Sequence, residues 1–494
     1  MSRRTVVPRV VSRATRRSLV ALVLGVVAIL PATGVAGAKT AAATSAAATP
    51  KQWDPRLAPI AEKVAELRKL KFDHPVAAEF LDDTPFEKRV TIDKGKLTKS
   101  DKDDIERSQG QLRAVGLIGP DVDLVDASSS LQTSGVLAYY SPKTKKITVK
   151  GTNTNDVATR VTIAHELTHA LQDQHFDLRK LEKDAAKAHA STPVRTLIEG
   201  DAVRIQREYA DSLSESDQAA YDAERASSSA DAQAEIADKG VPDSLAVFFE
   251  APYDLGPTML DAVIAKEGVG GVDALFEHPP TADAAFLTPS TLLQHRVFPD
   301  VDTPKLAKGE RRSGTPDIFG AFALYQMLSS RLDPSVALTA ADAWGGDSMV
   351  TFTRDGTTCL RATFLGKTQD GTTAITAALT QWAALMPAGA AQVDGATARV
   401  TLTACDPGAA ATEAPNQALT ALGLVANRDD LFGELLKQEV PIGVAECAAN
   451  AFVREPAFAP LLAHPDAEPD PEVISSLRGI AQQDLQRCRA ESST

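Results

Sequence analysis

The sequence predicts an α+β protein: a small mixed sheet over one buried helix, a mainly helical second half, and a small α-helical, disulfide-bonded module at the C-terminus. Three observations carry that expectation. Residues Val161 to Leu171 form an apolar-periodic run, the pattern of a helix buried along much of its length. Two β-rich runs, Val136 to Tyr140 and Lys146 to Lys150, flank the turn Ser141-Pro142-Lys143-Thr144-Lys145, which is the layout of a hairpin. All four cysteines (Cys359, Cys405, Cys447 and Cys488) fall in the last third of the chain.

The elements follow in order. Residues 1–38 read as an export signal. Arg3, Arg4, Arg9, Arg13, Arg16 and Arg17 precede the apolar stretch Leu19 to Leu30, and Ala36-Gly37-Ala38 supplies small residues for cleavage after Ala38. Thr15-Arg16-Arg17-Ser18-Leu19-Val20 resembles a twin-arginine motif, so either export route is open. The apolar core is too short to span a bilayer in the mature chain, and no later run approaches the roughly 20 residues a span needs. Removing the leader takes six of the 52 Lys and Arg and none of the 65 Asp and Glu, so the net charge moves from −13 to −19. A surface that acidic excludes electrostatic binding to nucleic acid or anionic membrane. The expected setting is secreted and extracytoplasmic.

Residues 39–54 read as a flexible leader. A single large domain over 55–405 should begin with a helix at 55–71, an extended stretch from His74, and a second helix from about Asp101 to Val115. The hairpin then leads into the buried helix, with Asn155 or Asp156 as its cap. Thr192-Pro193 should open another helix, running through Glu199 towards Tyr209. Residues 211–240 read as a solvated helical excursion, and 318–405 as a helix followed by short strands and a further helix. Residues 406–419 form a linker, and 420–494 a helical module. An even cysteine count in an exported chain suggests two disulfides. Pairing Cys359 with Cys405 and Cys447 with Cys488 keeps each bridge inside one expected unit.

The buried helix carries His165-Glu166-Leu167-Thr168-His169. Residues four apart share a helix face, so both imidazoles can reach one ion, and Glu166 stands beside the first of them as a general base for a water that the metal activates. With 8 His in 494 residues, fewer than about 0.01 such matches are expected by chance. Two histidines do not complete a zinc site. His175 has the spacing of H-E-x-x-H-x-x-G-x-x-H, but Gln172 stands where that arrangement needs a Gly to turn the chain. Glu199 is the better third ligand. It lies on the next well-signalled helix, and the mid-helix Gly200 beside it asks for a packing reason, which close approach of the two helices at the metal would supply. The expected site is therefore His165, His169 and Glu199 on one Zn²⁺, with Glu166 catalytic.

These segments resemble a group of bacterial exported H-E-x-x-H zinc metallopeptidase-like proteins of the gluzincin type. The resemblance runs through Tyr139-Tyr140-Ser141-Pro142-Lys143-Thr144-Lys145, His165 to Phe176, and Glu199-Gly200-Asp201-Ala202. It continues in Pro252-Tyr253-Asp254-Leu255-Gly256, Gly270-Gly271 with Pro279-Pro280, and Ala343-Trp344-Gly345-Gly346-Asp347. It implies a zincin-like metallopeptidase domain acting on a peptide or protein substrate. The chain departs from the group's usual wording at Thr288-Pro289 and at Ser348. Tyr209, Tyr253 and His295 are eligible to stabilise an oxyanion; Trp344 and Tyr253 read as packing residues and Asp173 as a solvated helix acid. The competing expectation is an exported binding or scaffold protein that keeps a zinc site without proteolysis. An intact Glu166 argues against it, because a structural site has no use for a base.

Overall fold

The computed structural model describes residues 49–134, 136–412, 417–458, 461–462 and 471–492; the expected export signal lies outside them. The chain is a mixed α+β structure with two small sheets. Helix α1 (Ala58–Arg68) is followed by strand β1 (Ala77–Leu81), which occupies the stretch expected to be extended. Helices α2 (Asp83–Val90), α3 (Lys99–Ala114) and α4 (Leu124–Thr133) lead to the hairpin of β2 (Ala138–Ser141) and β3 (Lys146–Lys150). The first sheet has the order β1-β3-β2: β1 runs parallel to β3, β2 antiparallel, and β2 is left as an edge strand. Thr98 opens α3 with a reciprocal capping box to Asp101.

Helix α5 (Val157–Phe176) carries the pentad. Asp156 caps it, accepting the Thr159 amide at 2.8 Å. Of its 20 residues 16 are buried, which makes it an internal helix rather than a surface amphipath. One face packs on the first sheet and α1 through Ile147, Val149, Val161 and Leu167. Its buried threonines stay satisfied within the helix: Thr162 donates to the Ala158 carbonyl and Thr168 to that of Ala164, each at 2.9 Å.

Helix α6 (Leu178–Lys187) turns the chain into α7 (Ser191–Asp211), which lies beside α5 and buries Glu199, Asp201 and Arg204 along with its apolar residues. Helix α8 (Glu215–Asp238) buries only Tyr221, Ala232 and Ile236, in line with a largely solvated excursion. Helix α9 (Asp243–Glu267) contains Pro252 and Pro257 and crosses α7 closely. The close approach anticipated at Gly200 is present, but its partner is Gly256 of α9, not the helix that carries the pentad: a Cβ on Gly200 would lie 2.5 Å from the Gly256 carbonyl carbon.

Short helices α10 (Val269–Glu277), α11 (Ala284–Leu287) and α12 (Ser290–Leu293) precede β4 (Arg311–Arg312), α13 (Ala321–Ser329) and α14 (Pro334–Asp342). The second sheet is antiparallel throughout, in the order β4-β5-β6-β8-β7, from β5 (Trp344–Arg354), β6 (Thr357–Gly366), β7 (Ala391–Ala396) and β8 (Arg399–Cys405), with α15 (Gln369–Ala384) packed on it. Cys359 and Cys405 are register partners on β6 and β8 and are joined as a disulfide. Helices α16 (Ala418–Lys437), α17 (Ile442–Phe452) and α18 (Pro471–Glu491) follow, and Cys447 of α17 bonds Cys488 of α18. Helix α16 packs along α9, and Arg428 links it to α14 through Asp342 at 2.8 Å. No helix among the described residues is long and apolar enough to cross a membrane.

Candidate metal centre

Helices α5 and α7 bring His165, His169 and Glu199 together, with one donor atom from each inside a 4.8 Å cluster. The two Nε2 atoms are 3.0 Å apart, and Glu199 Oε2 lies 3.4 Å from His165 Nε2 and 3.3 Å from His169 Nε2. Zinc bonds of about 2.0–2.1 Å in a tetrahedron put neighbouring ligand atoms about 3.3–3.4 Å apart, so this donor set fits such an ion. Glu199 Oε2 is buried with only the two imidazole nitrogens facing it and no hydrogen bond of good geometry, so a cation there would offset the cost of burying the carboxylate.

Both imidazoles are held from behind by glutamines. His165 Nδ1 faces Gln206 Oε1 at 2.9 Å, and Gln206 Nε2 donates to the Tyr221 hydroxyl at 3.3 Å. His169 Nδ1 faces Gln172 Oε1 at 3.0 Å. An amide oxygen can only accept, so each ring carries its hydrogen on Nδ1 and turns an Nε2 lone pair to the shared centre. Two lone pairs and a carboxylate crowded together attract positive charge. Without a metal that charge is a proton. Burial opposes it, but the Glu199 carboxylate prevails and pushes His169 up to about 9. Burial in turn would lift Glu199, yet the charge on His169 holds it well below the usual carboxylate range. His165, with burial dominant, is pushed down.

Glu166 is not one of the three donors. Its Oε2 accepts the backbone amide of Tyr140 on the edge strand β2 at 2.6 Å, while Oε1 is buried without a partner. Burial pushes its carboxyl up to about 8. Tyr140 is fixed at its other end too, its hydroxyl donating to Asp173 Oδ2 at 2.6 Å. Asp173 also takes Lys145 at 2.6 Å and the Leu178 amide at 3.0 Å. The expectation of a solvated acid there is corrected: Asp173 is buried, and it anchors the edge strand to α5.

The remaining candidates separate cleanly. His175 stays on the continuing helix, exposed, with Nε2 against the Lys71 carbonyl at 2.8 Å. His295 is exposed in a turn with φ 48°. Tyr209 is buried in the apolar core beside α5. Tyr253 stacks on the His165 ring at 6.4 Å between centroids, and its buried hydroxyl lies beside the Arg195 and Glu199 side chains. Trp344 packs against Phe298 and donates to Asp347 at 2.8 Å, a packing role as expected. The sequence reading places Gln172 only where a turn glycine would stand and Tyr140 only in the hairpin, and it gives Gln206 no part at all. The available signal was spacing: Gln172 lies one turn after His169, and Gln206 two turns after Glu199 on the same face.

No protein-family model, no curated protein and no solved structure matches this chain.

Proposed function

We propose that the chain is an exported zinc-dependent peptidase of zincin-like fold, with Zn²⁺ on His165, His169 and Glu199 and Glu166 as general base. The observation that carries this reading is the spare carboxylate. Glu166 is buried beside the three donors, is not needed as a donor, and keeps one oxygen unpartnered. When bound, a zinc ion supplies Lewis-acid polarisation of a peptide carbonyl and lowers the pKa of water towards about 7. Glu166 takes the proton of the attacking water and returns it to the leaving amine nitrogen. The Tyr140 amide holds Oε2 so that Oε1 is left for the water. The outer edge of β2 offers backbone groups to an extended peptide by strand addition. Two disulfides support an oxidising compartment.

The scaffold reading is favoured by one observation, the near-complete burial of all four groups: His165 1%, Glu166 1%, Glu199 5% and His169 9% exposed. A peptide-library cleavage assay on wild type and Glu166→Gln decides between them. The peptidase reading expects cleavage by the zinc-loaded wild type and a loss of about 10²–10⁴-fold in the variant at unchanged zinc content. Stoichiometric zinc with no cleavage of any peptide by wild type would support the scaffold.

A further inference from the structure

We propose that Gln172 and Asp201, neither of them a metal donor, fix the orientation of His169 and so set the affinity of the centre for zinc. This rests on the zinc reading above.

The two ends of a glutamine amide are nearly the same size, so the neighbours decide which end faces the imidazole. Gln172 Nε2 lies 3.1 Å from the Ile198 carbonyl and 3.0 Å from Asp201 Oδ2. Both are acceptors. Turning the amide round would set its oxygen against two oxygens and its NH₂ against His169. The observed orientation is therefore the satisfied one, and it leaves Oε1 as the acceptor for His169 Nδ1–H. The hydrogen on Nδ1 is what leaves Nε2 free to bind a metal.

Asp201 is locked into its accepting role. Its Oδ2 takes Arg68 Nε at 2.7 Å as well as the Gln172 amide, and its Oδ1 takes Arg204 Nη2 at 3.1 Å. Arg68 reaches onward to Asp273 of α10 at 2.6 Å. Arg68 and Asp201 are both fully buried. A fully buried ion pair gives little net stability over apolar residues of similar volume. Its position behind Gln172 supplies a different reason for it, since an ionised carboxylate can never donate and so never lets the amide turn.

In Asp201→Asn the new amide can donate to Gln172, which is then free to turn its NH₂ towards His169 and leave the ring hydrogen on Nε2. The test is the zinc dissociation constant, by chelator competition, of wild type, Asp201→Asn and Gln172→Leu. It is paired with the ring ¹H–¹⁵N spectrum of the zinc-loaded proteins and with their melting temperatures. Both variants are expected to bind zinc about 10–100-fold more weakly and to lose the slowly exchanging Nδ1–H signal of His169. Gln172→Leu keeps the Arg68–Asp201 pair, so it carries the test if Asp201→Asn fails to fold. Zinc affinity within twofold of wild type in Gln172→Leu, with the Nδ1–H signal retained, overturns the proposal and leaves the zinc reading standing. A wild type that binds no zinc overturns the zinc reading itself, and this proposal with it.

Discussion

Gly200 and Gly256 meet backbone to backbone: a Cβ on the first would lie 2.5 Å from the carbonyl carbon of the second, and a Cβ on the second 2.5 Å from the Thr196 carbonyl oxygen. This contact aligns two parts of the centre at once. Glu199 precedes Gly200 on α7, and Tyr253 lies three residues before Gly256 on α9, where its ring stacks on His165. A helix crossing that admits no side chain thus lies directly behind a donor and its neighbouring ring.

Gly200→Ala should therefore destabilise the protein although alanine is the better helix former. The propensity gain is about 1 kcal/mol, but the new methyl meets rigid backbone, and overpacking of this kind costs about 1–3 kcal/mol or more, leaving a net loss of up to about 2 kcal/mol. Gly433→Ala in α16 is the control, because a Cβ there meets nothing within 4 Å. It should be neutral or raise stability by up to about 1 kcal/mol. Urea unfolding of both variants checks the pair, and equal effects would show that the crossing is not the constraint described.

The ligand assignment separates Glu199 from His175 by zinc content. Glu199→Ala leaves two imidazoles, too few for zinc at low free concentration, and occupancy should fall sharply. His175→Ala should hold zinc as wild type does, since that ring rests on the Lys71 carbonyl at the helix end. Metal analysis after dialysis against a weak chelator gives the answer. Zinc lost from His175→Ala and kept by Glu199→Ala would reverse the assignment.

Much of this site was legible because its signals are local. Asp156 caps α5 as its residue type suggests, the pentad sits on one helix, and the hairpin runs fall at the stated positions. The features that escaped are long-range. Arg68 and Asp201 are 133 residues apart, and nothing in either neighbourhood announces a buried pair. Tyr140 reads from sequence as a hairpin residue with no part in the site, because its role depends on the edge strand lying against Glu166. Asp173 reads as solvated from sequence because nothing local marks a helix acid two turns after Glu166 as buried until Tyr140 and Lys145 are brought onto it. Gly200 does mark a close approach, but with Gly256 of α9 in place of the expected contact between the helices at the metal.

The cysteine pairs carry a prediction about stability as well as connectivity. Cys359–Cys405 closes a loop of 46 residues and Cys447–Cys488 one of 41. Loops of that size imply roughly 3–5 kcal/mol each in the chain-entropy account. Non-reducing peptide mapping should recover these two links, and reduction should lower the melting temperature. A Cys405–Cys447 linked peptide would contradict the arrangement.

Glu310 gives the chain an acid-sensitive tie. Arg361 bonds its carboxylate from two nitrogens, each at 2.9 Å, Arg354 reaches it at 2.7 Å, and the Ala307 amide donates at 2.6 Å. The Arg361 contacts dominate, and although burial opposes them they hold the carboxyl down to about 2. A folded-state value below the ordinary 4.5 means that the unfolded chain binds the proton more readily. The tie is then fully present above about pH 4.5 and is lost as the pH falls through 4.5 towards 2. Its worth at neutral pH is about 2–3 kcal/mol, less than the full shift implies because Arg354 is 46% exposed and screened. Glu310→Gln should thus be less stable than wild type at pH 7, with the gap closing between pH 4.5 and 2. Urea midpoints measured across that range provide the check, and a gap that stayed constant with pH would mean that Glu310 stabilises the fold through shape rather than charge.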